Sequence, residues 1–259
     1  MQNFKKKEFF YIISGYLLWG VVVVIWQFVT ANKFVEPGLL PPPNKVFFAF
    51  LKHTLNGNFL DSFKYTGSRI LVAFTLAAFI NVFLGLILGR SYKLFLFFQP
   101  TITFMRVIPP PCFIALIFIF FGTSDLGKIV FILIGVSFPI LLNTIDGVRD
   151  IHPRLLETAK VFGLNRYEVF FKFILPATSP YIVSGLRVAL LQTIALSIFA
   201  EYIGSTNGLG NFILRMHSTW KTPDMYAGIF LLAFFGYLIN YLFFVLTERL
   251  MYWHYGRTK

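Results

Sequence analysis

Residues 70–89 read ILVAFTLAAFINVFLGLILG, a run of 20 residues without a charged side chain. The hydrocarbon core of a bilayer is about 30 Å thick, and a helix needs about 20 apolar residues to cross it. The run lacks the alternation of apolar and polar residues that a strand of a membrane barrel requires. The segment is therefore predicted to be a transmembrane helix, and this prediction decides the fold class.

Five further segments of similar length carry few or no charges. The segment at 180–203 contains only Arg187 and Glu201, and a shorter uncharged run at 94–105 precedes the segment at 107–124. The segment at 9–31, the first along the chain, is too long for the core of a signal peptide and is predicted to be retained. The sequence thus predicts an all-α integral membrane protein with about six transmembrane helices, at 9–31, 70–89, 107–124, 129–145, 180–203 and 225–247.

The composition of the 259 residues supports this class, since 57% are hydrophobic and only 13% are charged. Soluble domains average about 45–50% apolar and about 25% charged residues, so a soluble enzyme, a disordered protein and a secreted disulfide scaffold are disfavoured. The single cysteine, Cys112, cannot form an internal disulfide, and the four histidines have no metal-ligand spacing. The net charge of +12 is explained by basic residues that flank spans, without any nucleic acid partner.

The distribution of lysine and arginine predicts the orientation. With six spans both termini share one side, which carries 13 basic residues against 8 on the other. Because basic residues favour the cytoplasmic side, both termini are predicted to be cytoplasmic.

The longest polar loop on that side, about 143–179, is predicted to hold two short amphipathic helices. Asp150 or His152 could cap the first helix, with Leu155, Leu156, Ala159 and Phe162 on one face. Gly163 could end it in a left-handed conformation. The second, about 166–174, should stop before Pro176. From this pattern alone, a connector on the lipid surface and a docking element for a cytoplasmic partner are equally supported.

Within this loop, Glu157-Thr158-Ala159, Gly163 and Ile174-Leu175-Pro176 resemble the EAA loop of ABC-importer permeases. Thr158 replaces the middle alanine, and the final element lacks the residue that the family places between Ile and Leu. Further motifs, in order from about residue 36 to the C-terminus, are similar to the nitrate/sulfonate/taurine-type permeases. They include Leu40-Pro41-Pro42-Pro43, Arg69-Ile70-Leu71, Leu84–Gly89, Met105–Pro109, Phe121-Gly122-Thr123, Phe138-Pro139, Asn143-Thr144, Gly185-Leu186-Arg187, Ala200-Glu201 and Gly208-Leu209-Gly210.

The resemblance implies a type I ABC importer permease in the bacterial cytoplasmic (inner) membrane. It implies an N-terminal span and tail at 1–35, a permease core at 60–259 and a cytoplasmic coupling loop at about 143–179. Two permease copies, as a homodimer, would form the pore. ATPase subunits would dock on the coupling loops, and a solute-binding protein would deliver substrate from outside. No cofactor, catalytic residue or metal ligand is implied. The expected coupling residues are Glu157, Ala159, Phe162, Gly163, Leu164 and Pro176.

The segment Gly122–Lys128 fits the first seven positions of a phosphate-binding loop, G-x-x-x-x-G-K. That motif requires Ser or Thr next, in a soluble domain between a strand and a helix. Position 129 is Ile, and the segment joins two predicted spans. We therefore interpret it as a tight glycine turn.

Ionisable residues inside spans are functional candidates because charge is costly in lipid. Arg106 precedes Pro109-Pro110-Pro111, which should break or kink the helix. Arg106 could face the pore or hold two spans together. Glu201 should lie near the outer interface, capping or pairing with a neighbour, and Arg187 near the inner one.

Gly85 and Gly89 form a G-x-x-x-G pattern that favours close helix contacts.

The main alternative is a stand-alone secondary transporter coupled to ions through Arg106 and Glu201. The absence of a visible inverted repeat argues against it. An intramembrane enzyme is disfavoured because no nucleophile or metal motif occurs. By the resemblance, the solute would be a sulfonate, taurine, a nitrate-like anion or a vitamin precursor.

Overall fold

The computed structural model describes residues 2–36 and 38–251, with side chains for 17–36 and 38–251. All regular structure in these ranges is helical. A 3₁₀ turn lies at Pro110–Cys112 and a π-helical turn at Phe170–Ile174. The α-helices are α1 (Gln2–Ala31), α2 (Pro43–Leu55), α3 (Asn58–Arg90), α4 (Tyr92–Val107), α5 (Phe113–Phe121), α6 (Asp125–Arg149), α7 (Pro153–Val161), α8 (Arg166–Val169), α9 (Leu175–Gly204), α10 (Leu209–Ser218) and α11 (Thr222–Leu250).

Four helical stretches in the described residues are long and apolar enough to cross a membrane. They are α3, α6, α11 and the continuous stretch Arg166–Gly204 that contains α9. The predicted spans at 70–89, 129–145, 180–203 and 225–247 lie within them and are confirmed as helices of that length. The first predicted span, 9–31, falls on α1, whose described apolar part is Leu17–Ala31. The side chains of residues 2–14 lie outside those that the structure describes.

The predicted span at 107–124 is wrong as a continuous helix. α4 ends at Val107, and the helical segment Pro110–Phe121 leaves it at an angle of 85°. A proline lacks a backbone N–H and its ring clashes with the preceding helical turn, so three consecutive prolines at 109–111 end α4 rather than continue it as a regular α-helix. The predicted break at these prolines is confirmed, and the two segments form at most one broken span.

The second short helix of the polar loop does not stop before Pro176, so that prediction is also wrong. Residues 170–174 widen into a π-helical turn, and the chain continues directly into α9. The ring of Pro176 would crowd the carbonyl four residues earlier in a regular α-helix, and a π-turn relieves this crowding locally. α8 and α9 therefore form one continuous helical element.

A smaller compact unit comprises residues 2–36, 38–61 and 212–232. Its core contains Ala49, Phe59, Phe212 and Ala227. The rings of Phe59 and Phe212 pack edge to face with centroids 5.3 Å apart. In the same unit, the buried His53 lies with Nε2 2.5 Å from Asp224 Oδ1.

The larger unit comprises residues 62–211 and 233–251. α6 and α9 form its centre, and glycines set their separation. A Cβ on Gly185 of α9 would lie 2.8 Å from the Pro139 carbonyl of α6. On α3, a Cβ on Gly85 would lie 2.5 Å from Thr144, and one on Gly89 would lie 2.6 Å from Val148. The G-x-x-x-G pattern thus does mark a close helix contact, made within this chain against α6.

Candidate functional site

The coupling loop (143–179) is organised around α7, whose two ends are both fixed by specific bonds. At its start, His152 Nδ1 accepts a hydrogen bond from the Arg154 backbone at 3.2 Å, and Pro153 occupies the first helical position. At its end, Gly163 has φ +67°, and its N–H donates to the Lys160 carbonyl at 2.9 Å. The predicted His152 cap and the left-handed Gly163 are both confirmed. Asp150 has another role, since it accepts a 2.5 Å bond from the Tyr181 hydroxyl.

The two faces of α7 differ sharply in exposure. Ala159 is 0% exposed, whereas Val161 is 87% and Phe162 74% exposed. Glu157 is also exposed and makes no hydrogen bond or ion pair with any residue that the structure describes. The prediction of one apolar face containing both Ala159 and Phe162 is wrong, because Ala159 packs against the chain's own helices while Phe162 points outward.

Two other expected coupling residues do not join that exposed face. Leu164 is half-buried and lines a cavity beneath α7. Pro176 is half-buried in the first turn of α9. Both residues support the loop from inside, so Glu157, Val161 and Phe162 form the outward surface.

A second polar site lies around Arg69, at the other end of α3 from the coupling loop. Arg69 is only 2% exposed, and its Nη1 lies 2.6 Å from Glu201 Oε1. Its Nε and Nη2 donate to Asp125 Oδ1 at 2.8 and 2.6 Å. Nη2 also bonds the side chain of Asn207. One guanidinium therefore ties together α3, α6, α9 and the turn after α9. Arg69, Glu201, Asp125, Asn207 and Thr66 are called the Arg69 network below.

The carboxylate of Glu201 is fully buried yet well supplied with donors. Besides Arg69, it accepts bonds from the Thr66 hydroxyl at 2.9 Å and from the Gly210 N–H at 2.8 Å. Thr66 in turn accepts a bond from the Leu209 N–H at 2.8 Å. A buried charge is tolerated only when it is paired and hydrogen-bonded. Glu201 meets this condition, and its predicted pairing with a neighbour is confirmed.

Glycine is required where the chain passes this carboxylate. Gly208 has φ +102°, and a Cβ there would lie 2.4 Å from the Glu201 carboxyl carbon. A Cβ on Gly210 would lie 2.7 Å from the Ile198 carbonyl. The chain can therefore approach Glu201 only because positions 208 and 210 have no side chains.

The phosphate-loop-like segment takes part in the same network. Gly122 has φ +70°, and Ser124 caps α6 by accepting a bond from the Gly127 N–H. Asp125 then begins α6 and binds Arg69. The segment is a tight turn between α5 and α6, as predicted.

Arg69 was not among the predicted site residues, although its motif was part of the resemblance to the permease family. The available signal was its motif: Arg69-Ile70-Leu71, Ala200-Glu201 and Gly208-Leu209-Gly210 are separate in sequence and meet in this network. Composition and periodicity carry no such signal.

Arg106 lies in the last turn of α4 and is exposed. It has no hydrogen bond or ion pair with the described residues, so it forms no tie between spans within the described part of the chain. The neighbouring face of α4 carries an open depression lined by Gln99, Pro100, Thr103 and Phe104, among others. Arg187 lies with its guanidinium 5.8 Å from the centre of the Phe244 ring.

These features define the class: an α-helical membrane protein with a rigid exposed loop and, in the described residues, no cluster of side chains that could hold a metal. Residues 81–251 match the family described as "Binding-protein-dependent transport system inner membrane component". Because the match covers more than half of the chain, the chain belongs to this family.

Several relatives match most of the chain. SsuC of Bacillus subtilis, named for aliphatic sulfonate transport, is 29% identical over 241 residues, 93% of this chain and 87% of that protein. The taurine transport permease TauC of Escherichia coli is 27% identical over 240 residues, 91% of this chain and 87% of that one. The nitrate import permease NrtB of Leptolyngbya laminosa is 29% identical over 183 residues, 71% and 66% of the two chains.

The fold is shared with a solved transporter. A chain of the MetNI methionine ABC transporter, in an inward-facing conformation, superposes with a TM-score of 0.67 at 17% identity, covering 76% of this chain and 97% of that one. The protein is a permease subunit of an ABC importer of the nitrate/sulfonate/taurine type, and ATP hydrolysis belongs to a separate subunit. The alternative of an ion-coupled carrier is set aside, since Glu201 is also fully engaged by its donors.

Proposed function

We propose that the outward surface of α7 is the site at which an ATPase subunit docks. The observation that carries the proposal is the contrast between buried Ala159 and exposed Val161 and Phe162 on one short, doubly capped helix. A rigid helix that presents large apolar side chains is suited to a groove in a partner. Glu157, unpaired within the described chain, would meet a basic residue of that groove.

The connections of α7 explain how docking would move the spans. Only residues 150–152 separate α7 from α6, and α8 continues into α9 without a break. α6 and α9 pack closely: a Cβ on Gly147 would lie 2.5 Å from Tyr181. Displacement of α7 by a closing ATPase would therefore move α6 and α9 together as a rigid body, which supports alternation between two discrete states.

The proposal extends to the complete assembly. Two copies of this chain form the path as a homodimer, both termini are cytoplasmic, and a solute-binding protein delivers the solute at the end where the Arg69 network lies. The orientation is supported by the excess of basic residues on one side. The family description supports dependence on a binding protein. The relatives are named for transport of aliphatic sulfonates, taurine, nitrate and formylaminopyrimidine, so the proposed solute is a sulfonate, taurine, a nitrate-like anion or a vitamin precursor of the pyrimidine kind.

Docking is tested with Glu157→Lys in the permease co-expressed with its ATPase subunit. Charge reversal on the docking surface should reduce the amount of ATPase that co-purifies by at least tenfold, while permease yield and melting temperature are unchanged. Glu36→Lys is the matched control, because Glu36 is an exposed carboxylate outside the coupling loop. Wild-type recovery of ATPase with the Glu157 variant would refute the docking role.

Orientation is tested by cysteine labelling in intact cells. In a Cys112→Ser background, Asn165→Cys in the coupling loop should react with an impermeant maleimide only after the membrane is opened. Asn58→Cys, at the start of α3, should react without opening. The reverse pattern would overturn the proposed orientation.

A further inference from the structure

Beneath α7 lies a cavity of about 360 Å³ that belongs to neither the docking surface nor the Arg69 network. Its walls come from the C-terminal ends of α3 and α6 and from α7, the turn after it and α8. α3 and α6 are membrane-length helices. The ends of such helices lie where the hydrocarbon core meets the headgroups, so the cavity lies at that boundary.

The cavity has an apolar floor and a basic rim. Val148, Leu156, Leu164 and Val169 are among the apolar lining residues. Among the described residues of the lining, those that are ionisable are Arg90, Lys160 and Arg166, and all three are cationic and exposed.

These three cations have no partners in the part of the chain that the structure describes, unlike Lys172 and Arg149 close by. Lys172 pairs with Glu168 at 2.9 Å. The Arg149 guanidinium lies 3.6 Å from the centre of the Phe95 ring. Glu168 also caps α8, as part of a capping box with Asn165. Lys172 and Arg149 are thus engaged within the chain, whereas the three cations at the cavity rim are left for an external anion.

We propose that this cavity binds an anionic phospholipid of the adjacent leaflet, with its headgroup phosphate at Arg90, Lys160 and Arg166. The rim complements the negative charge, and the apolar floor accepts the start of an acyl chain. Basic pockets between transmembrane helices at the membrane surface suit such headgroups, and the volume is within the range of ligand sites. A small hydrophilic anion would leave the apolar floor unused.

A lipid at this position would join the root of α7 to α3 and α6. Leu156 and Lys160 lie one helical turn apart on the cavity side of α7, whereas Val161 and Phe162 face outward. The lipid and a docked partner would therefore occupy different faces of α7. Anionic lipid would then strengthen the mechanical link between the coupling loop and the spans.

The proposal is tested on the purified chain in detergent, without any partner subunit. Native mass spectrometry would compare retention of phosphatidylglycerol, phosphatidylcholine and free glycerol 3-phosphate. The wild-type chain should bind phosphatidylglycerol well over tenfold more tightly than the other two. The variant Arg90→Gln/Lys160→Gln/Arg166→Gln should bind phosphatidylglycerol about a hundredfold more weakly than the wild type does, and each single variant about fivefold more weakly.

The matched control is Lys93→Gln/Arg154→Gln/Arg249→Gln, which removes the same charge from residues that do not line the cavity. It should retain the preference, and equal loss in the control would overturn the proposal in favour of general charge attraction. Val169→Phe fills the apolar floor without changing charge and should weaken binding of phosphatidylglycerol without weakening binding of glycerol 3-phosphate, which has no acyl chain. If glycerol 3-phosphate binds the wild type as tightly as the lipid and Val169→Phe leaves lipid binding unchanged, the site is for a free anion and the lipid assignment is wrong.

Discussion

The Arg69 network and the coupling loop differ in burial and in hydrogen bonding, although α3 contributes residues next to both. Arg69 and Arg90 are 21 residues apart on that helix, which is about 31 Å along its axis and about one hydrocarbon thickness. In the network, Arg69 and Glu201 are buried and fully hydrogen-bonded. In the loop, Glu157 and Phe162 are exposed and unpartnered within the described chain.

This difference separates two uses of polar residues in one membrane protein. A buried ion pair with all its donors and acceptors satisfied holds helices in one arrangement and has nothing left to offer a ligand. An exposed helix whose ends are fixed is already ordered before a partner binds, so binding costs little additional conformational entropy. Its exposed side chains remain available to that partner. We therefore expect changes in the network to lower stability and changes in the loop to lower coupling.

The largest effect is expected from Arg69→Ala, which would leave Glu201 buried without its counter-ion. Removing one partner of a buried pair costs about 3–5 kcal/mol. Unfolding of the purified chain in detergent should show a loss of this size. Arg154→Ala, an exposed cation on α7, should change the free energy of unfolding by less than about 0.5 kcal/mol.

Two milder changes in the Arg69 network should cause smaller losses in the free energy of unfolding. Asp125 is 58% exposed, so Asp125→Asn should cost about 1 kcal/mol or less. Arg69→Lys keeps the charge but loses the planar fork that reaches Glu201 and Asp125 together, and should fall between the two. Equal losses for Asp125→Asn and Arg69→Ala would contradict the view that burial of Glu201 sets the cost.

An intermediate effect is expected from Gly208→Ala. The new Cβ would need a left-handed backbone at φ +102° and would lie 2.4 Å from the Glu201 carboxyl carbon. Strain of this kind costs about 1–3 kcal/mol, measurable as a lower melting temperature. Gly67→Ala is the control, because its Cβ would meet nothing closer than 3.8 Å and alanine favours a helix. A melting temperature unchanged in the Gly208 variant would show that this turn can move away from Glu201.

The fold was largely predictable because hydrophobic length alone identifies membrane helices. Residues 70–89 could only be a span, and α3 contains them. The errors fell at prolines. Pro109–Pro111 do break a helix, whereas Pro176 does not, because a π-turn accommodates it. Sequence shows that a proline is present, but whether neighbouring turns can adjust depends on the packing around it.

The site was predictable only in its local features. The cap at His152 and the turn at Gly163 depend on adjacent residues and were found. Arg69 and Glu201 are 132 residues apart, and no periodic pattern links them. The outward position of Phe162 and the inward position of Leu164 likewise depend on how the turn after α7 packs against the rest of the chain, which composition does not encode.

The smallest effect on stability is expected from Arg106→Ala. Arg106 is exposed at the end of α4 and unpaired within the described chain, so its removal should change the free energy of unfolding by less than about 0.5 kcal/mol. If its charge faces the translocation path, uptake should fall while ATPase co-purification is retained. Arg106→Ala would then resemble a change in the coupling loop, because stability is unaffected. It would differ from such a change because the ATPase subunit still co-purifies.

Arg106→Lys and Lys93→Ala sharpen this last test. A path that needs only positive potential should accept lysine at 106, whereas a bidentate contact to the second permease copy should not, because lysine lacks the planar fork. Lys93 is an exposed cation in the first turn of the same helix, so Lys93→Ala removes equal charge away from the α4 depression. Loss of uptake with alanine at 106, rescued by lysine and absent in the Lys93 variant, would place Arg106 in the path. Loss of the dimer with both alanine and lysine at 106 would place Arg106 at the interface between the two permease copies. The side chain that is exposed in the single chain would then be buried and paired in the assembly, as Arg69 already is within the chain.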